Sequence, residues 1–105
     1  MFVDHTGEDQ VGKTLVFYFK EAVARSARYS MDYSDYKLGD KFVSLEVVSV
    51  KDTASDAVSA VSVVAHHSSG GCQVSCVHQV MSLGALRVQE TGPELLANID
   101  SKCSE

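Results

Sequence analysis

Two hydrophobic periods follow one another along the chain. Leu15, Val16, Phe19, Ala22, Val23 and Ala27 recur at the spacing of one helical face, while Lys13, Lys20 and Arg25 fall elsewhere. Phe17 and Tyr18 widen that surface beyond a single stripe, which predicts a helix covered on more than one side. Ahead of it, Thr6 followed three residues later by Asp9 resembles a capping box, and Glu8 and Asp9 suit the positive end of a helix dipole. A helix start near Thr6 is expected, after a short apolar lead at residues 1 to 3 that has the look of a strand end.

The period then falls to two. Tyr29, Met31 and Tyr33 alternate with Ser30, Asp32 and Ser34, and a turn through Lys37, Leu38, Gly39 and Asp40 leads into the β-branched residues 41 to 51. There Val43, Leu45 and Val47 share one face, opposite Phe42, Ser44 and Glu46. Ala57, Val61, Val63 and Ala65 line one face of a third strand, and Ser68, Ser69, Gly70 and Gly71 supply hairpin chemistry. A fourth strand over residues 72 to 83 sets Val77, Met81 and Leu83 against Val74, Cys76, His78 and Val80. After Gly84, residues 85 to 89 are expected to extend the sheet, and Pro93 with Glu94 to open a short helix containing Leu95, Leu96 and Ile99. Helix, four antiparallel strands and a short helix make an α+β layering in one domain over residues 1 to 105.

Composition narrows the function classes. Apolar residues at 45% and charged residues at 22% are ordinary globular values, which argues against disorder. The net charge of -5 and the scattered basic residues disfavour nucleic acid as a partner. No apolar run approaches the roughly 18 residues of a membrane span, and the N-terminus lacks a signal-peptide pattern, so no membrane partner and a cytoplasmic location are expected. Three cysteines, an odd number, point to free thiols in a reducing compartment.

Two short patterns invite specific chemistry. Gly7, Gly12, Lys13 and Thr14 match the spacing of a phosphate-binding loop, whose backbone N–H groups and lysine hold a nucleotide. Its usual context is a buried strand before the loop and a parallel sheet after it, whereas residues 1 to 3 are a meagre strand and Glu8 and Asp9 would adjoin the polyanion. Cys72, Cys76 and His78 fall on one face of the fourth strand, but extended geometry sets Cys72 and His78 about 20 Å apart, too far to share one metal ion. Neither a metal nor another cofactor is expected.

Residues 27 to 50, ARYSMDYSDYKLGDKFVSLEVVSV, resemble the hotdog-fold family of acyl-CoA and acyl-carrier-protein thioesterases, in which a loop ending in Gly-Asp leads into a long β-branched strand. VDHTG before the helix, FYFKEA within it and ETGPELLANI near the end are similar to other parts of that family. The resemblance implies a hotdog-like α+β fold, one long helix packed against a curved antiparallel sheet of about four to five strands, and a homodimer or homotetramer. It implies hydrolysis, or binding, of an acyl thioester on coenzyme A or acyl-carrier protein. In it Asp4 would be the catalytic carboxylate, the backbone N–H near Gly12 would polarise the carbonyl, and Glu21 would be a second acid. His5, placed to orient Asp4, and Tyr18 would lie on the substrate side. This chain is shorter than the family before the Asp-x-x-Gly turn and between helix and Gly-Asp loop. The alternative is therefore a non-catalytic α+β module that dimerises or binds a protein through its sheet edge.

Overall fold

The structure is a computed structural model that describes residues 1 to 26, 42 to 52, 55 to 69 and 72 to 103. Strand β1 (Phe2–Thr6) leads into helix α1 (Gln10–Arg25), and three long strands follow, β2 (Phe42–Asp52), β3 (Ser55–Ser69) and β4 (Cys72–Gly84). A 3₁₀ turn (Ala85–Arg87) then runs into helix α2 (Val88–Cys103). The strand expected at residues 29 to 34 and the loop at 36 to 40 lie outside the described residues.

The coarse expectation of an α+β domain holds. The sheet has four strands in the order β1-β2-β3-β4, with β2, β3 and β4 forming an antiparallel meander. It is not wholly antiparallel, because β1 pairs with β2 in parallel, Asp4 beside Glu46 and Thr6 beside Val48. Parallel neighbours need a long crossover, and α1 with the segment after it supplies one. The apolar lead at the N-terminus is thus a short edge strand of a βαβ unit.

Both helices pack on the same face of the sheet, α1 over β2 and β3, α2 over β3 and β4, and they pack on each other. The predicted inward residues of β2 and β3, Leu45, Val47, Val61 and Val63, are buried there against Leu15, Phe19 and Val23 of α1. Gly92 lets the helices meet closely, since a Cβ there would strike the backbone of Phe19 and Tyr18. Instead of one long and one short helix, the described residues form two α-helices of 16 residues each. Residues 85 to 89 do not extend the sheet. Val88, Gly92, Leu95, Ile99 and Cys103 form the buried stripe of α2, which begins five residues before Pro93 and carries the proline inside it. Burial of that stripe on α1 and the sheet outweighs the one backbone hydrogen bond that a proline removes.

The cysteines correct the expectation of free thiols, for Cys76 is joined to Cys103 with a Cα–Cα distance of 5.5 Å. The register explains the meeting. Ala65 pairs with Val77 and His66 with Ser75, so Cys76 is the extra residue of a β-bulge, released from the alternation that would have turned it away from α2. The bridge closes a separation of 27 residues and pins the last turn of α2 to β4. Reduction, or Cys103→Ser, is expected to lower unfolding stability by about 3 kcal/mol, read from urea titrations with and without reductant. A non-reducing peptide map lacking the Cys76–Cys103 cross-link would refute the assignment.

Candidate functional site

The densest polar constellation lies under the start of α1. Asp9 is the N-cap, with extended backbone (φ -69°, ψ 144°), and its Oδ2 accepts a hydrogen bond from the Gly12 N–H at 2.8 Å. The helix therefore starts three residues later than the Thr6 capping box predicts, and Thr6 stays in β1. Ser49 of β2 donates its hydroxyl to Asp9 Oδ1 at 2.6 Å, and Ser59 of β3 donates to Oδ2 at 2.7 Å. His5 Nε2 lies 2.7 Å from Ser49 Oγ. Ser49 has one proton and gives it to the carboxylate, so His5 must carry hydrogen on Nε2 and donate to Ser49. One carboxylate thereby links β1, α1, β2 and β3.

All three of Asp9, Ser49 and Ser59 are buried. Desolvation alone would push the Asp9 carboxyl up, but hydrogen bonds from Ser49, Ser59 and Gly12 together outweigh it and hold the group below its ordinary value. The glycines make room for this arrangement. A Cβ on Gly12 would fall on the Ser49 hydroxyl, and Gly7, at φ +145°, lies where a side chain would strike Ser49 and Asp9.

Histidine, serine and aspartate in contact suggest a hydrolytic triad, yet the order is wrong for one. A nucleophilic serine gives its proton to histidine, which a carboxylate orients. Here serine stands between the two and gives its proton to the carboxylate, and Ser49 is only 3% exposed. The chemistry available to this node is cohesion. It also occupies the anion position of the phosphate-loop pattern, because the Gly12 N–H that would meet a phosphate already meets Asp9.

The residues named from the sequence are not gathered in one place. His5 and Gly12 belong to the buried node. Asp4 points the other way along β1, exposed on the opposite face of the sheet beside Glu46. Glu21 is exposed on α1, where it borders a shallow depression with Lys13, Phe17 and Lys20. Tyr18 is half-buried and stacks on Phe17, ring centroids 5.3 Å apart. The Gly12 amide is thus committed to Asp9 and separated from Asp4 by the thickness of the sheet. Ser49 and Ser59 were missed as polar anchors. Their signal was position, since each continues the inward apolar series of its strand and a hydroxyl there requires a buried partner.

The second candidate is the sheet face away from the helices. No described element lies on it, and it presents Phe2, Val48, Val50 and Val80, the last two 64% and 73% exposed. One row across all four strands reads Asp4, Glu46, Val64, His78, and the next reads Thr6, Val48, Ser62, Val80. Among the described residues no three histidine, cysteine or acidic side chains converge on a metal position, and none of the described helices is long and apolar enough to cross a membrane. No protein-family model matches the chain, and no curated protein matches it significantly.

Asp9→Ala should destabilise the fold by about 3 kcal/mol, since it removes a helix cap and strands two buried hydroxyls. Gly12→Ala should also destabilise it, by displacing Ser49. Because the folded carboxyl titrates below its ordinary value, its stabilisation is present above the usual aspartate range and lost as pH falls through the lowered value. Urea midpoints measured across the acid range should drop more steeply for the wild type than for Asp9→Asn; parallel profiles would contradict this account of the node.

Proposed function

We propose that this chain is a non-catalytic α+β module that pairs with a second copy of itself through the uncovered face of its sheet. The observation that carries this reading is the set of large apolar side chains, Phe2, Val48, Val50 and Val80, standing exposed on one continuous face of four paired strands. Sheets with one face covered by helices usually offer polar residues on the other. Here valines alternate outward as well as inward in β2, and Val48 and Val50 gather with Ala60, Val64 and Val80 around Ser62 into a patch, separate from Phe2, of the kind that marks association sites. The contact surface is the face of the sheet, rather than the edge that the sequence suggested. The Cys76–Cys103 bridge favours an oxidising compartment over the cytoplasm.

The acyl-thioester reading draws its support from the resemblance of residues 27 to 50 and from a long helix laid across antiparallel strands, both compatible with a hotdog-like domain. Against it stands the division of its candidates, Asp4 on one face of the sheet and Gly12 on the other. Acyl-CoA substrates of several chain lengths should show no turnover above background; turnover abolished by Asp4→Asn would restore the hydrolase.

Sedimentation equilibrium should show a wild-type dimer at micromolar concentrations. Val48→Asp and Val80→Asp should each raise the dissociation constant by about tenfold or more, at about 1.4 kcal/mol per decade, with unchanged far-ultraviolet circular dichroism. Phe17→Asp, on α1, should leave association intact. A wild-type chain that stays monomeric at all accessible concentrations would overturn the proposal.

A further inference from the structure

The uncovered face is electrically two-sided. Across its charged row, Asp4 on edge strand β1 and Glu46 on β2 stand at one side, Val64 separates them from the other, and His78 stands on edge strand β4. All three titratable groups of that row are exposed. Among the described side chains of these rows the remaining titratable group is His66 of β3, half-buried in the neighbouring row Phe2, Ser44, His66, Ser75. The helices lie on the other side of the sheet and bring no charge to this one.

A second copy can be laid on such a face about a two-fold axis running along the strands or across them. An axis along the strands, between β2 and β3, keeps each row opposite its own copy and exchanges its ends. Asp4 then faces His78 of the second copy, Glu46 faces Val64 with His78 adjacent, and the same contacts recur on the other side of the axis. In the next row Val80 covers Thr6, and Val48 meets Ser62. An axis across the strands would instead set β1 on β1 and β4 on β4, which keeps His78 of one copy away from the carboxylates of the other and, where the axis crosses the charged row, stacks the carboxylates on one another. Only the first arrangement is complementary to itself. Four strands about 4.8 Å apart with about 3.4 Å per residue give a face on the order of 600 Å² per copy, close to the roughly 800 Å² per partner of a stable interface.

Resting on the self-association proposed above, we infer that two copies pack face to face about an axis parallel to the strands, with His78 of each against Asp4 and Glu46 of the other, so that acidification tightens the pair. An imidazole brought against carboxylates holds its proton more firmly than a free one. Association is then strongest below the titration of the free imidazole, ordinarily near pH 6.5, and weakens as pH rises through the higher value in the pair. His66, which meets Ser44 across the axis, has no carboxylate directly opposite.

The test is the dimer dissociation constant between about pH 5.5 and 8, measured by sedimentation for the wild type, His78→Gln and the double variant Asp4→Asn/Glu46→Gln. The wild type should bind about tenfold tighter at the acid end, the effect of about half a pK unit at each of the two symmetric His78 contacts, and both variants should lose most of that dependence. A charge exchange checks the geometry. The His78→Asp chain and the Asp4→Lys/Glu46→Lys chain should each associate poorly alone and form a heterodimer when mixed, since both cross-axis contacts are then complementary. A pH-independent dimer, retained pH dependence in His78→Gln, or no preference for the mixed pair would overturn the arrangement while leaving self-association standing. Absence of any dimer at every pH would remove the self-association reading itself.

Discussion

The Asp9 carboxylate is the constraint on which the layers depend. A buried charge is tolerable only when its hydrogen-bonding capacity is met, and Asp9 meets it with the first turn of its own helix, a serine from β2 and a serine from β3. Those partners are separated from it by 40 and 50 residues in the chain. The requirement to satisfy one group therefore fixes the position of α1 over the two central strands, and His5 extends the same restraint to β1. Glycine at positions 7 and 12 follows from this arrangement, because the space that side chains would fill belongs to Ser49.

Once α1 is set, α2 has one place to go. It lies beside α1 over β3 and β4, close enough that Gly92 sits against the α1 backbone, and the disulfide at its last turn holds it there. Two helices side by side cover one face of a four-stranded sheet, and no other described element lies on the opposite face. The one-sidedness of the fold and the apolar character of the open face are thus linked. The residues that give β2 its strong β preference point both ways, Val47 into the core and Val48 and Val50 outward.

Much of the layering was legible in the sequence. The helical face of α1 and the inward faces of β2 and β4 follow from periodicity, since side-chain direction is tied to helix and strand geometry whatever the surroundings. Serines at residues 49 and 59 stood in inward apolar series and so signalled buried partners, although their identity did not follow. The start of α1 was misplaced because Thr6 and Asp9 are both competent caps, and what chose Asp9 were two serines remote in sequence. The length of α2 was misjudged because Gly84 and Pro93 are local breakers, whereas the stripe from Val88 to Cys103 acquires its value only by burial against α1.

The sequence by itself determined the helical period of α1 and the alternation of β2, β3 and β4, and with them which faces are apolar, because those depend on neighbours along the chain. Only the tertiary structure decided the parallel pairing of β1, the joining of Cys76 to Cys103 through a bulge, and the separation of Asp4 from Gly12 to opposite sides of the sheet. Each depends on how distant segments align. Along the chain, DHTGEDQVGKT places Asp4, His5 and Gly12 within nine positions of one another, as a single site would require. In space, strand alternation and the Asp9 cap send Asp4 outward and His5 and Gly12 inward, making one a surface charge and the others parts of a buried anchor.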